Sequence, residues 1–454
     1  MNKKLILILT LLFLLLIGCN SSTQDEPQAV PADNATETPV EMDDVATEAV
    51  EPTATPEVAT ETPAEIEEDT AVQDEPQTTQ PDVAAEAPAA SDDTIAQDDA
   101  QAFPPEVVAE IQATMDALTA GTIPPGMVAW IDAPEYQFAG ASGSANLAEG
   151  APMSPEGAFR IGSITKMFTA VVIMQLAEDG VLTLDDPLAL WLPEVAEQLP
   201  YGDQITLRHL LTHTSGLFNV VEHESYYADI FMEMVVDEAT GNVTLDCVAR
   251  DPNDTLARYV YGKEAQFEPG TQWRYSNTNY TLLGMVIETA VQMPLAEAYR
   301  TNIYEPLGMT STFLDCYEAP LSDIVHGYTG AGAEMADVTE LHESVGWSAG
   351  GLVSTAPDLV AFARGLFGGA LFENPETVAV MTTPAPGSAY GLGIMLQEET
   401  MGHAGYIAGF RSVLNYAPEL DTVVVMFYNH DGADPEQSLE NVLNPTRSLL
   451  GTDS

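Results

Sequence analysis

The chain has 454 residues, with 70 Asp and Glu against 13 Lys and Arg and a formal net charge of −57 at pH 7. A field of that sign repels phosphate backbones and argues against nucleic acid as a partner. Some 350 residues beyond position 100 are enough for one large domain, or two interlocked lobes, with a real core.

The N-terminus begins with Lys3 and Lys4, followed by an apolar run over residues 5–17. That run falls short of the ~20 residues needed to span a bilayer, and it has the layout of a secretory signal. It ends in "LIGC", which resembles a bacterial lipoprotein signal, with cleavage leaving Cys19 as a lipid-modified N-terminus. An ordinary signal, or an uncleaved anchor with an incidental Cys19, is the other reading. The expectation is an extracytoplasmic protein lipid-anchored to the cell membrane or envelope.

Residues 20–100 contain 23 Asp and Glu, with no lysine, arginine or aromatic residue. Such Pro-, Thr- and Ala-rich sequence buries too little apolar surface to offset its ordering entropy, so a disordered tether is expected. A chain of that length spans roughly 50 Å r.m.s., and more when like charges repel along it. An acidic adhesive or cation-binding arm is the alternative. Residues 101–454 then form the folded domain. With Cys19 lipidated, Cys247 and Cys316 are left as a possible disulfide in an oxidising compartment, two buried thiols being the other outcome.

In the folded part, "FPPEVVAEIQATMDALTAG" reads as a helix with Val107, Val108, Ile111, Met115 and Leu118 on one face. "GMVAWIDA" and "YQFAGASG" predict an antiparallel pair, and a turn-rich, helical middle extends to about residue 352. "YGLGIML", "FRSVLNYAP" and "TVVVMFYN" read as strands, with "APELD" as a hairpin turn between the last two. Strands at both ends predict a sheet closed by the two termini, with the helical middle forming a separate lobe.

Lysine is scarce, yet Lys166 stands three places after Ser163 in "FRIGSITKMFTAVVIMQLAEDG". On a helix that spacing puts both side chains on one face, a turn apart. A serine is a poor nucleophile until a base takes its proton, and a buried amine with a lowered pKa can do so. A helix-capping serine beside an exposed lysine is the plain alternative. "FEPGTQWRYSNTNYTLLG" adds Tyr275 and Asn277, a phenol to relay a proton and an amide to orient a substrate. "MGHAGYIAGFRSVLNY" adds His403 and Gly405 at the opening of a strand, where a substrate backbone can lie close. His209 and His213 in "RHLLTHTSGL" have i, i+4 spacing without the glutamate of a zinc helix, so packing and loop hydrogen bonds are expected of them.

Ser163-x-x-Lys166, Tyr275-x-Asn277 and His403-x-Gly405 follow one another in an order that resembles the serine β-lactamase and penicillin-binding-protein family. The match is to its class C β-lactamase and D-Ala-D-Ala carboxypeptidase branch. "ITLRHLLTHTSGL", "LGMTSTFL" and "SAGGLVSTAPDLVAFARGL" extend the resemblance over roughly residues 103–429. It implies an α/β fold of β-lactamase/transpeptidase type: an antiparallel sheet flanked by helices, beside an α-rich lobe. Ser163 would form an acyl-enzyme, with Lys166 or Tyr275 as its base. Asn277 and His403 would contact substrate, and the amides of Ser163 and Tyr406 would form an oxyanion hole next to Gly405. No metal or organic cofactor is implied.

The implied activity is that of a cell-envelope serine hydrolase acting on D-amino-acid peptides, peptidoglycan stem peptides among them, or on small esters. A β-lactamase, or a penicillin-binding sensor that never turns over, is the alternative. Two features depart from the family pattern. His403 stands where many relatives carry lysine, which weakens the case for carboxylate recognition, although Arg411 lies near in sequence. Residues 218–268 form a longer stretch than usual, expected as a lid or rim pinned by Cys247 and Cys316. Arg274, His342 and Trp347 are further candidates for lining the cleft.

Overall fold

The computed structural model describes residues 101–450, apart from 122, 234, 237–242, 245, 333, 334 and 343. The signal segment with Cys19 and the acidic stretch 20–100 lie outside the described residues. In chain order the elements that matter are β1 (Gln101–Ala102), α1 (Pro105–Thr119), β2 (Gly126–Asp132), β3 (Tyr136–Asn146), α2 (Thr165–Glu178) and α3 (Leu207–Leu211). They continue with α4 (Asn277–Val291), α5 (Ala356–Phe367), β4 (Met395–Leu396), β5 (Met401–Ile407), β6 (Phe410–Ala417), β7 (Thr422–Tyr428) and α6 (Pro435–Leu450).

The main sheet runs β1–β3–β2–β7–β6–β5–β4, so strands from the two ends of the domain meet where β2 pairs with β7. All these pairings are antiparallel except the short β1–β3 contact. The β2–β3 pair and the β6–β7 hairpin stand where the sequence pattern put them. β7 is buried at every position because both faces of the sheet are covered. Val424, Met426 and Tyr428 point into a cluster with Ile111 and Met115 of α1 and Val442 and Leu443 of α6. The alternate residues Val423, Val425 and Phe427 join the larger core that holds α2, α4 and α5. Helix α2 is apolar almost all round and correspondingly buried, with Phe168 stacked on Phe362 of α5 at a ring-centroid distance of 3.8 Å.

One expected strand is mostly absent. In "YGLGIML" only Met395 and Leu396 pair as β4. The chain turns sharply before them, with Gly391 N–H donating to Ile394 O at 2.8 Å and Gly393 at φ +77°. A β-carbon on Gly393 would lie 2.6 Å from that of Ala170 on α2. The glycines therefore serve close packing against α2 instead of continuing a strand. In β5, His403 lies in the interior, since the strand begins at Met401.

Candidate active site

Ser163 sits in a single 3₁₀ turn, Gly162–Ile164, that leads into α2. Three bonds fix that turn: Ile161 N–H to Leu352 O at 2.9 Å, Ser412 Oγ to Ile161 O at 2.8 Å, and Thr165 Oγ1 to Gly162 O at 2.7 Å. Two glycines let β5 run against it. A β-carbon on Gly162, at φ +50°, would lie 2.7 Å from Tyr406 N, and one on Gly405 would lie 2.0 Å from Ile161 O. The Ser163 turn and the Tyr406 backbone are thereby held in contact.

Lys166 lies on the first turn of α2 and is fully buried beneath the half-buried Ser163. Its Nζ is 3.1 Å from Ser163 Oγ, 2.8 Å from Asn277 Oδ1 and 2.6 Å from the carbonyl oxygen of Ala349. Tyr275 OH donates to Ser163 Oγ at 2.8 Å, and the Lys166 nitrogen lies 4.8 Å from the Tyr275 ring centroid. Burial holds the Lys166 amine well below its ordinary pKa and pushes the Tyr275 phenol well up, so both groups are biased toward their uncharged forms beside one serine.

Tyr275 and Asn277 flank the start of α4. No side chain of that helix caps it; instead Asn277 N–H donates to Asn219 Oδ1 at 3.0 Å, and Asn277 Nδ2 to the same oxygen at 3.3 Å. Asn219 in turn reaches Glu222, whose carboxylate pairs with the half-exposed Arg274 at 3.0 Å. Asn219 is a site residue the motifs do not reveal, because nothing in its spacing marks it.

His403 comes from β5 with both ring nitrogens engaged, Nδ1 with Ala404 O at 2.6 Å and Nε2 with Tyr390 OH at 3.0 Å. Burial above all pushes its imidazole down to about 3, and a proton on Lys166 acts in the same direction. It is neutral at physiological pH. Arg411 is paired opposite Tyr406 across β5 and β6, with its guanidinium carbon 3.9 Å from the centroid of that ring and its Nε donating to Asp431 O at 2.8 Å. His213 packs behind Tyr275, with ring centroids 4.3 Å apart, and Tyr390 is 4.7 Å from the same imidazole. Its packing and loop bonds agree with the sequence reading, but its place against the site does not follow from the i, i+4 pattern. His209 stays outside, its Nδ1 accepting from Thr206 N–H at 3.2 Å.

The remaining candidates have partners of their own. Cys247 and Cys316 are joined in a disulfide. With Tyr317 OH, which bonds both Arg250 N and Arg250 O, it fastens the middle of the long stretch to the body. Among the described residues one cluster brings metal-type ligand atoms within 4.8 Å of one another: Cys247, Asp315, Cys316 and His342. Its sulfurs are spent in the disulfide, while Asp315 and His342 both bond the buried Arg160 at 3.0 Å. Trp347 is buried against Gly284 and Tyr317.

Known proteins repeat this arrangement of chain. A solved D-stereospecific amidohydrolase from Streptomyces sp. superimposes with a TM-score of 0.64 at 30% identity, over 74% of this chain and 98% of that one. The penicillin-binding protein PbpX of Bacillus subtilis (strain 168) is 27% identical over 278 residues, 61% of this chain and 63% of its own. Esterase EstB of Burkholderia gladioli is 34% identical over 177 residues, 38% of this chain and 43% of its own. The chain thus spans less than two thirds of the length of either curated relative. The profile described as Beta-lactamase matches residues 111–444, the span that carries Ser163, Tyr275 and His403. This chain belongs to the beta-lactamase family of serine hydrolases.

Proposed function

We propose that this protein hydrolyses D-amino-acid amides and peptides, or small esters, through an acyl-Ser163 intermediate outside the cytoplasm. One observation carries the chemistry. A neutral Lys166 amine has two N–H groups and one lone pair. Asn277 Oδ1 and Ala349 O only accept, so they take the two hydrogens. The lone pair is left for the Ser163 hydroxyl at 3.1 Å.

In this reading Lys166 is the general base. Ser163 Oγ attacks the substrate carbonyl carbon as its proton passes to Lys166 Nζ, and the oxyanion is met by the amides of Ser163 and Tyr406. The bond to the leaving nitrogen or oxygen breaks, and Tyr275 relays the proton to that atom. Water then attacks the acyl-serine by the reverse sequence and releases the acid. Asn277 holds the amine and borders the acyl side of the substrate.

The substrate class draws support from the D-stereospecific amidohydrolase and the esterase among the similar proteins. It also draws support from His403, which is neutral and already bonded on both nitrogens, so it offers no fixed positive charge to a substrate carboxylate. Peptidoglycan stem peptides remain within the class as D-amino-acid peptides. The lipidated Cys19 and the acidic tether would place the domain at the cell envelope.

The test is turnover by the wild type and Ser163→Ala with a D-alanine amide, a nitrophenyl butyrate, a D-Ala-D-Ala peptide and a penicillin, with adducts followed by mass. Ser163-dependent turnover of the amide or ester is expected. Fast penicillin hydrolysis would make it a β-lactamase, and a stable penicillin adduct without turnover of any substrate would make it a sensor.

A further inference from the structure

His213 is held in a conformation that folding alone does not favour. Its backbone is at φ +58°, in the left-handed region that only a few per cent of non-glycine residues adopt, and its side chain is fully buried. The network around it fixes its protonation. Ser215 Oγ donates to Asn279 Oδ1 at 2.6 Å, which turns Asn279 Nδ2 toward His213 Nδ1 at 3.1 Å. Ser276 N–H donates to the same Nδ1 at 3.2 Å. Nδ1 is therefore an acceptor, and the ring proton sits on Nε2, a buried atom without a hydrogen-bond partner.

A strained backbone and an unpaired buried N–H both cost free energy. What they secure is Tyr275. The His213 carbonyl accepts from Arg274 N–H at 3.0 Å and its Nδ1 from Ser276 N–H, so the backbone N–H groups of the two residues that flank Tyr275 are both held by one residue. The imidazole also lies against the phenol ring at 4.3 Å. From that seat the hydroxyl reaches Ser163 Oγ at 2.8 Å.

We propose that His213 is the positioning residue for Tyr275, acting on acyl transfer at Ser163 only through the placement of that phenol. This rests on the acyl-serine reading above. Asparagine is the informative replacement: it tolerates the left-handed backbone and keeps an oxygen acceptor, but removes the ring.

The experiment is a double-mutant cycle in the full-length protein with His213→Asn and Tyr275→Phe, read by nitrophenyl butyrate turnover and by labelling with a nitrophenyl phosphonate. Wild type should be phosphonylated on Ser163, with Ser163→Ala silent. His213→Asn should lower kcat about 10²-fold, the scale of a small misplacement, with KM within about threefold. In the Tyr275→Phe background the same change should cost less than about threefold, because the group it positions is gone. Equal losses in both backgrounds, or an unchanged kcat in His213→Asn, would overturn the proposal. If the asparagine variant does not fold, His213→Gln goes through the same cycle and is judged by the same criterion. A wild type with neither labelling at Ser163 nor Ser163-dependent turnover would overturn the acyl-serine reading and this one with it. That failure is visible before any His213 variant is made.

Discussion

The hydroxyl of Tyr390 stands 3.0 Å from Nε2 of His403, while the other ring nitrogen meets the Ala404 carbonyl oxygen. The carbonyl only accepts, so Nδ1 carries the proton and Nε2 accepts from the phenol. A family position often filled by a cation is here a neutral group tied to its neighbours. The KM for a substrate with a free carboxylate should therefore be flat between pH 5 and 8, because an imidazole pushed down to about 3 does not titrate there. Steady-state kinetics across that range checks it; a KM that climbs tenfold with pH would show an imidazolium binding the carboxylate.

Lys166→Met should abolish turnover, by about 10³-fold or more, while the protein stays folded. Methionine fits the fully buried site better than the bulkier, permanently charged arginine. The sign of the pH effect follows from the lowered amine pKa. Turnover falls as pH drops through that value, because a protonated amine has no lone pair for Ser163. Stability follows the same group: between its folded pKa and about 10.4 the unfolded chain holds the extra proton, so stability rises with pH across that window. The methionine variant should lose this slope, and thermal melts at a series of pH values would measure it.

Gly405→Ala should separate the strand from the serine turn. Its new methyl would lie 2.0 Å from Ile161 O and 2.2 Å from Ser412 Oγ, so something must move. Overpacking of that kind costs about 1–3 kcal/mol. The Tyr406 amide moves with it, so kcat should fall about 10²-fold or more, the scale of a lost oxyanion donor. Denaturant titration and kinetics on the same preparation would test both parts.

Removing the disulfide with Cys247→Ser and Cys316→Ser should cost stability more than chemistry. Its sequence separation of 69 corresponds to about 4 kcal/mol of loop entropy in the chain model. A lower melting midpoint with kcat within about threefold of wild type is expected. A collapse of kcat in a folded variant would instead show that the bridge shapes the site through Asp315 and Arg160.

Cys19→Ser should move the protein from the membrane pellet to the soluble fraction, since the expected anchor is the lipid on that sulfur. Fractionation of cells expressing both forms measures it. Retention of the serine form in the pellet would favour an uncleaved apolar anchor.

Much of this site is legible along the chain because its chemistry sits in short motifs whose geometry is local. Ser163 and Lys166 share a helical turn, so their proximity follows from spacing alone. Tyr275 and Asn277, like His403 and Gly405, are recognisable as types in a fixed order. The strands at both ends follow from short apolar runs bounded by turn residues.

What the tertiary structure decided are the long-range contacts that set protonation. The Lys166 amine is held below its ordinary pKa because α2 is buried on all sides, and its partners Ala349 and Asn277 come from far away in sequence. His403 is neutral because the packed fold buries it, and a turn at Gly391 and Gly393 delivers the Tyr390 hydroxyl to its Nε2. Asn219 and His213 enter the site from the loop after α3, where spacing assigns neither of them a role. Burial and hydrogen-bond pairing are properties of the packed whole, and they, more than residue type, fix where each proton resides.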